Sequence, residues 1–509
     1  PPVTSQSHSG GGSAFAVILS TLDDLFNFAT PVCHFRSEGY DLHILLTGTG
    51  ERERAIGNSG QSVHINSACA VQVDLLSEKH VTEHQPDLEE WIGSISPAPN
   101  VVIAVQHTGL SSSKWESSLS KPVVIQIPRE DLPFCDWMTS LPNEAWQNWH
   151  KPRLDVSVIT NDRPDSLSRL LKSLSNASFF GDTVDLRINV EQTADEETLD
   201  IVNGYQWRHG SKFVHRRVIQ GGLLPAVVES WYPASNDSYG VMLEDDVELS
   251  PLFYAWIKMS ILFYRYPENA SPQLFGISLY QQKNLELRPE GRHLFSAQTV
   301  FASASYPDVN TPYLSQIPCS WGAVYFPEQW REFHNYLAVR LSQTHPNLPL
   351  DKIVAPGLRS NKWTRSWKKY FIELVYMRGY VMLYPNFRDY ISLSTNHLEV
   401  GSHVKEMSPK AYERKKELYL LPLMQRPPTD TPAENDDLTQ RKPTTPAATD
   451  LMDLPEGRLP SWTQLPVLDL LGLFATATSI QQRGIARREE LFECERADAP
   501  LDVRALLCL

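Results

Sequence analysis

The chain has 509 residues, a formal net charge of −14, and 41% hydrophobic and 10% aromatic content. That length exceeds one small core and implies two or more domains. The acidic balance leaves no basic surplus to neutralise a phosphate backbone and excludes nucleic acid as the main partner, and no apolar run reaches the roughly 18–20 residues that span a bilayer.

Residues 1–13 are Ser/Gly-rich, begin at Pro1, and read as a flexible lead or stem. Membrane association through an upstream anchor is the matching expectation. Residues 14–135 predict a smaller N-terminal α/β domain. Its strands fall over 15–19, 42–46, 101–106 and 123–127, and a helix over 22–29 ends before Pro31. Gly48 and Gly50 follow a strand, but Glu53 stands where GxGxxG needs its third glycine. That stretch reads as a loop and not a dinucleotide site. Residues 131–153, rich in Trp, Pro and Asn, read as a bridge.

A second α/β pattern occupies residues 150–425. Strands are predicted over 155–160 and 184–190. A helix over 164–174 carries Leu167, Leu170, Leu171 and Leu174 on one face. Short helices follow over 195–202 and 223–231, then an apolar strand over 240–243 and a helix over 251–264. Beyond Tyr266 the pattern breaks into loops and short strands up to about residue 401. Residues 426–460 are a Pro/Thr/Asp-rich linker. The tail, 461–509, regains apolar character and reads either as docked helices or as a mobile interaction segment.

The cysteines (Cys33, Cys69, Cys135, Cys319, Cys494, Cys508) have no zinc-ligand spacing. Cys494 and Cys508 are close enough to close a loop, with buried free thiols the simpler reading. Sequons at Asn176, Asn236 and Asn269 favour a secretory lumen, and the Golgi is the expected location.

YGVMLEDDVELSP, residues 239–251, carries the chemistry. An apolar strand ends abruptly in Glu244, Asp245 and Asp246. Three carboxylates repel one another unless a cation sits among them. Hard oxygens suit Mn²⁺ or Mg²⁺, ions that commonly also hold substrate phosphates. The bland alternative is an acidic turn before a helix N-terminus at Ser250 and Pro251. VITNDRP (158–164) puts Asn161, Asp162 and Arg163 after the first strand, where α/β sheets recruit nucleotides. As an ordinary turn it would be solvated. VEQTADEET (190–198) offers Glu191 and Gln192 to a base or ribose, or is simply a capped helix start.

In this order the motifs resemble the nucleotide-sugar half of a GT-A glycosyltransferase, a Rossmann-like mixed α/β sheet. They are similar to the N-acetylglucosaminyltransferase I type, and closer to the KOBITO-like glycosyltransferase-like proteins. WRHG (207–210), AVVESWYP (226–233), PCSWGAVYFP (318–327), SWKKYF (366–371) and STNHLEVGSH (394–403) extend the likeness over roughly residues 154–405. The resemblance implies a metal-dependent enzyme moving a sugar from a nucleotide-sugar donor to a glycan, glycolipid or glycoprotein acceptor. Asp246 would be the direct metal ligand, with Glu244 and Asp245 on the ribose or metal-bound waters. Asn161, Asp162, Arg163, Glu191 and Gln192 would serve the donor. Trp321 and Gly322 would line the acceptor side, and His403, with His397 second, would complete the metal site.

The family's acid pair in a Trp-flanked segment is missing, because SNKWTRSWKKYF (360–371) has no carboxylate. Asp351 and Glu399 are the substitutes as acceptor base. Lys368 and Lys369 read as diphosphate ligands or as an exposed basic helix face. The gap leaves a second reading open, a non-catalytic binding factor supporting polysaccharide or wall assembly.

Overall fold

The computed structural model describes residues 14–48, 61–75, 86–106, 122–342, 353–399, 408–427, 449–492 and 499–509. These fall into two units, the first within residues 1–150 and 179–182, the second within residues 151–178, 183–426 and 437–509.

The first unit is built on β1 (Ala14–Leu19), β2 (Asp41–Leu46), β3 (Gln61–Asn66), β4 (Cys69–Leu75), β5 (Val101–Val105) and β6 (Val123–Ile127). They form a sheet in the order β3-β4-β2-β1-β5-β6. Every pairing is parallel except β3 with β4. β1 reads AFAVIL and is buried along its whole length, as a central strand covered on both faces must be. The helix expected over 22–29 does stop before Pro31, but a second helix follows it at once. α1 (Leu22–Asn27) ends at Phe28, and α2 (Ala29–Ser37) contains Pro31. Pro31 lies in the first turn of α2, where a missing N–H costs nothing and the fixed φ suits a helix.

Phe35 of α2 stacks on Phe15 of β1 with ring centroids 4.5 Å apart. Residues 131–150 bury Trp137, Trp146 and Trp149, with Trp149 stacked at 5.7 Å on Trp137 and 5.8 Å on Trp146. The reading of free thiols fails at Cys33 and Cys69, which form a disulfide from α2 to the start of β4. Cys508 is also disulfide-bonded. Cys135 and Cys319 are buried thiols, and Cys494 lies outside the described residues.

The second unit carries β7 (Arg153–Thr160), β8 (Asp185–Val190), β9 (Lys212–Arg216), β10 (Ser238–Glu244), β11 (Val247–Leu249), β12 (Leu274–Ser278), the hairpin β13 (Asn284–Leu285) and β14 (His293–Leu294), β15 (Tyr313–Ser315), β16 (Ala323–Tyr325), β17 (Val381–Tyr384), β18 (Ser394–Asn396), β19 (Val467–Leu468) and β20 (Phe474–Ala475). Ten of these make one mixed sheet, β20-β19-β15-β17-β12-β16-β10-β7-β8-β9. β7, β8, β9 and β10 run parallel, while β16 is antiparallel to both β10 and β12.

α3 (Pro164–Ser175) forms as its leucine stripe predicts and buries Leu167, Leu170, Leu171 and Leu174. α4 (Glu196–Gly204) is capped by Asp195, which accepts from Thr198 N–H at 2.8 Å. α5 (Leu223–Val228) and α6 (Phe253–Tyr264) follow, α6 buried on nearly every side.

Beyond Tyr266 the structure departs from the loops expected there. α7 (Pro327–Arg340) and α8 (Trp367–Arg378) are full helices. Their apolar stripes are masked because they also bury charges. Glu332 pairs with Arg378 at 2.6 Å and Glu373 with Arg340 at 3.0 Å. In the tail, β19 pairs with β15. α9 (Ala477–Leu491) lies so close to α8 that a Cβ on Gly484 would come 2.5 Å from the Tyr376 and Met377 carbonyls.

Removing the Cys33–Cys69 bridge frees a 36-residue separation in the unfolded chain. Cys33→Ser should therefore destabilise the first unit by about 2–4 kcal/mol, read as a lower denaturant midpoint by tryptophan fluorescence. In the second unit, a Cβ on Gly240 would stand 2.4 Å from the Trp231 indole. Gly240→Ala should cost about 1–3 kcal/mol through overpacking beside the site strand, measured by thermal unfolding.

Candidate functional site

β7 and β10 are parallel neighbours in register, with Ile159 opposite Glu244. Strands β8 and β9 continue outward from β7, whereas β16 and β12 continue from β10. The crevice at the carboxyl ends of β7 and β10 is thus the point where strand order reverses, the position at which open α/β sheets hold ligands. The NDRP loop and the acid triplet leave the sheet side by side there.

Asp245 is the best-held acid and is 5% exposed. Its backbone N–H donates to Ile159 O at 3.1 Å. Its carboxylate accepts from the Thr160 hydroxyl at 3.0 Å and from Arg163 Nη1 at 3.0 Å. The same Arg163 nitrogen lies 3.8 Å from Asp246 Oδ2. Burial acts against the guanidinium charge, but Asp245, Asp246 and Glu244 hold the pKa of Arg163 above its ordinary value.

Glu244 and Asp246 lack such support. Burial first, then Asp246 and Asp245, pushes the Glu244 carboxyl up to about 8. Burial and Asp245 raise Asp246 to about 6, with Arg163 and Asn396 acting against the rise. Asn396 stands near enough to Asp246 to act against the rise but outside hydrogen-bond geometry, so among the described residues Asp246 Oδ1 and the Asn396 amide nitrogen are both buried without a hydrogen-bond partner.

A hard divalent cation fits this donor set. An orphaned carboxylate oxygen points into a pocket of repelling acids that one arginine does not fully neutralise. Asp246 would hold the ion through Oδ1. No group of three or more His, Cys, Asp or Glu side chains placed to hold a metal occurs among the described residues, so diphosphate or solvent oxygens would complete its shell.

β18 closes the site from the other side by pairing antiparallel with β11. His397 N–H donates to Asp246 O at 2.8 Å, while the His397 imidazole meets Glu248 at 2.7 Å. Glu399 Oε1 accepts from the Ser166 hydroxyl at 2.7 Å and from Arg169 at 3.2 Å, both on α3. His403 and Asp351 lie outside the described residues.

Among the residues expected to serve a donor, Asn161 Oδ1 accepts from the Thr193 hydroxyl at 2.8 Å, and Asp162 and Gln192 are exposed. Glu191 accepts from the Gln192, Gly221 and Gly222 N–H groups at 2.8–3.3 Å and so anchors the glycine pair before α5. Trp321 packs edge-on to Tyr280 at 4.8 Å and to Tyr419 at 5.3 Å. Gly322 has φ +91°, and a Cβ there would come 2.9 Å from Ser394 Oγ. Only glycine therefore lets this turn pass β18. Lys368 is not an exposed basic face: it is buried at the start of α8 and bonded to Glu286.

Thr160, Ser166, Arg169, Asn396 and Glu286 were not singled out by sequence. Thr160 and Asn396 lie inside quoted motifs, and the Gly221–Gly222 pair was a readable signal. Glu286 has no local pattern at all.

The family described as the SPBC1E8.03c C-terminal domain matches residues 147–283 and 287–346. No curated protein matches the chain. Among solved structures the chain is similar to the mannosyltransferase PcManGT from Pyrobaculum calidifontis in complex with GDP-Man and Mn²⁺. That similarity is 12% identity and a TM-score of 0.28 over 47% of this chain and 59% of that one. It is also similar to GalNAc-T7 with UDP, GalNAc and Mn²⁺, at 14% identity and a TM-score of 0.30 over 51% of this chain and 45% of that one. The chain thus spans 59% and 45% of the lengths of those structures. The fold is the expected mixed α/β one; likeness at this level carries no argument beyond that.

Folded-state pKa values of about 8 for Glu244 and about 6 for Asp246 exceed the ordinary carboxylate range, so folding takes up protons here. Stability from these groups is fully present below about pH 4 and is lost as pH rises through the folded-state values. Glu244→Gln should therefore stabilise the metal-free protein by about 1–2 kcal/mol at pH 8 and by less at pH 5, as measured by denaturant midpoints.

Proposed function

We propose that this protein is a metal-dependent glycosyltransferase that moves a sugar from a nucleotide-sugar donor to a glycan-type acceptor. One observation carries the reading: an acid triplet with an orphaned, buried Asp246 Oδ1 sits at the switch point between β7 and β10. The finer reading is an enzyme of the N-acetylglucosaminyltransferase I or KOBITO-like kind, and its support is the order of the sequence motifs.

Mn²⁺ or Mg²⁺ at Asp246 supplies charge neutralisation to the departing diphosphate. The chain's own groups do the rest. Arg163 fixes Asp245 and adds a positive charge at the mouth of the crevice. Thr160 holds the Asp245 carboxylate in one orientation. Glu191 shapes the Gly221–Gly222 turn on the donor side. Trp321 offers part of its indole to an acceptor sugar, and Gly322 lets that ring sit beside β18. The anomeric centre gains oxocarbenium character as the leaving bond stretches, so the carboxylate-rich pocket also favours the developing charge.

A secretory location is part of the proposal. The Cys33–Cys69 disulfide fits an oxidising compartment. No helix among the described residues is long and apolar enough to cross a membrane.

The test is release of nucleoside diphosphate from a panel of UDP- and GDP-sugars with Mn²⁺. Release by the parent should fall at least about 100-fold in Asp246→Ala and disappear with a chelator. Donor binding without release would support the non-catalytic reading. Failure to bind any donor would overturn both.

A further inference from the structure

The unassigned step is activation of the acceptor hydroxyl. Of the carboxylates expected to do it, Asp351 lies outside the described residues, and Glu399 faces α3, where its Oε1 accepts from Ser166 and Arg169. The Trp-flanked segment has no carboxylate and carries Lys368 in the first turn of α8. Its ammonium is bonded to Glu286 in β13–β14 territory, just after β13. Glu286 is itself buried.

The pair lies at the carboxyl edge of the large sheet. β12 leads into it, and the turn after β12 is fixed to the acceptor-side loop by Leu279 N–H donating to Gly322 O at 3.0 Å. Trp321 contacts Tyr280 and Tyr419. The Tyr419 hydroxyl accepts from Arg292, and Arg292 faces Glu286 Oε2 at 3.7 Å. From the other direction, Ser394 donates to Trp321 O at 2.6 Å, and β18 continues from Ser394 to Asn396 beside Asp246. A short chain of contacts thus joins Glu286 to the acid triplet through the surface offered to the acceptor. Lys368 closes the ring, since its charge also reaches Glu244.

We propose that Glu286 is the catalytic base that takes the acceptor proton, with Lys368 as the residue that positions it. This rests on the glycosyltransferase reading. Oε1 is held by Lys368, while Oε2 meets Arg292 only beyond hydrogen-bond range, which leaves Oε2 free to accept. In the step, the acceptor oxygen forms a bond to the anomeric carbon. The bond from that carbon to the diphosphate oxygen breaks, and its electron pair leaves with the diphosphate. The acceptor proton passes to Glu286 Oε2. Attack from the face opposite the leaving group inverts the anomeric configuration.

The environment suits the role. Burial alone would raise the Glu286 pKa, but Lys368, Arg292 and Arg359 lower it below the usual value, so the carboxylate is ionised near neutrality. Tyr280, Tyr384 and Tyr419 also face it. A buried carboxylate fixed by one lysine is pre-oriented, as a general base must be.

The experiment uses the full chain and the UDP- or GDP-sugar panel with Mn²⁺, with water as acceptor. It reads diphosphate release against pH alongside donor affinity by calorimetry. Glu286→Gln should lower release by about 100-fold or more while changing donor Kd by less than about threefold. In Glu286→Ala, added formate should restore part of the rate. Lys368→Met should move the acid limb of the rate profile to higher pH, because the charge holding the Glu286 pKa down is gone, and Lys368→Arg should move it back. Release by Glu286→Gln within about threefold of the parent overturns the assignment. So does loss of donor binding together with release, which would mark the pair as structural. A parent protein that binds no donor overturns the underlying glycosyltransferase reading, and this assignment with it.

Discussion

The second unit is organised around mutual repulsion of carboxylates at the end of β10. Glu244, Asp245 and Asp246 leave the sheet in succession, and only Asp245 is fully engaged, by Thr160 and Arg163. The other two stay protonated far above their ordinary range because the surroundings exclude water without supplying enough positive charge. A fold that keeps such a cluster carries a standing penalty at neutral pH. Under the proposed function, a bound cation and diphosphate would relieve it, and the repulsion that weakens the metal-free fold would be what draws them.

Much of the neighbouring architecture supports that cluster. β7 presents Thr160, and the loop that follows it Arg163, because β7 is in parallel register with β10. β18 pairs with β11 and places the His397 N–H on the Asp246 carbonyl. Gly322, held at positive φ, lets the Trp321 turn approach Ser394 closely. The Thr160, His397 and Gly322 contacts are backbone or short side-chain constraints made at strand ends, so much of the placement of the acids comes from the sheet itself. The buried pairs Lys368–Glu286, Arg378–Glu332 and Arg340–Glu373 extend the same principle into the helical layer. Removing one partner of such a pair would leave an uncompensated buried charge.

Some of this was legible from residue order. β1, β2, β5 and β6 of the first unit, β7, β8 and β10 of the second, and α3 announce themselves through apolar runs or a leucine stripe, since one-sided burial writes its period into the sequence; β3, β4 and β9 do not. The acid triplet was visible as an abrupt end to an apolar strand. α7 and α8 were not visible, because helices buried on most sides, with ion pairs inside, show no clean stripe. Pro31 concealed α2 for a related reason: its effect depends on its position within a helix, and a one-residue break at Phe28 set that position.

The sequence by itself determined the two α/β patterns, the NDRP loop and the clustered carboxylates, because each depends on residues adjacent in the chain. Only the tertiary structure decided what those groups meet. It set Arg163 between Asp245 and Asp246, tied Glu399 to Ser166 and Arg169 across 233 and 230 positions, and bonded Cys33 to Cys69. It also brought Glu286 to Lys368 across 82 residues. Contacts of that separation leave no spacing to read, because they are set by the order in which strands join the sheet and not by the order of residues along the chain.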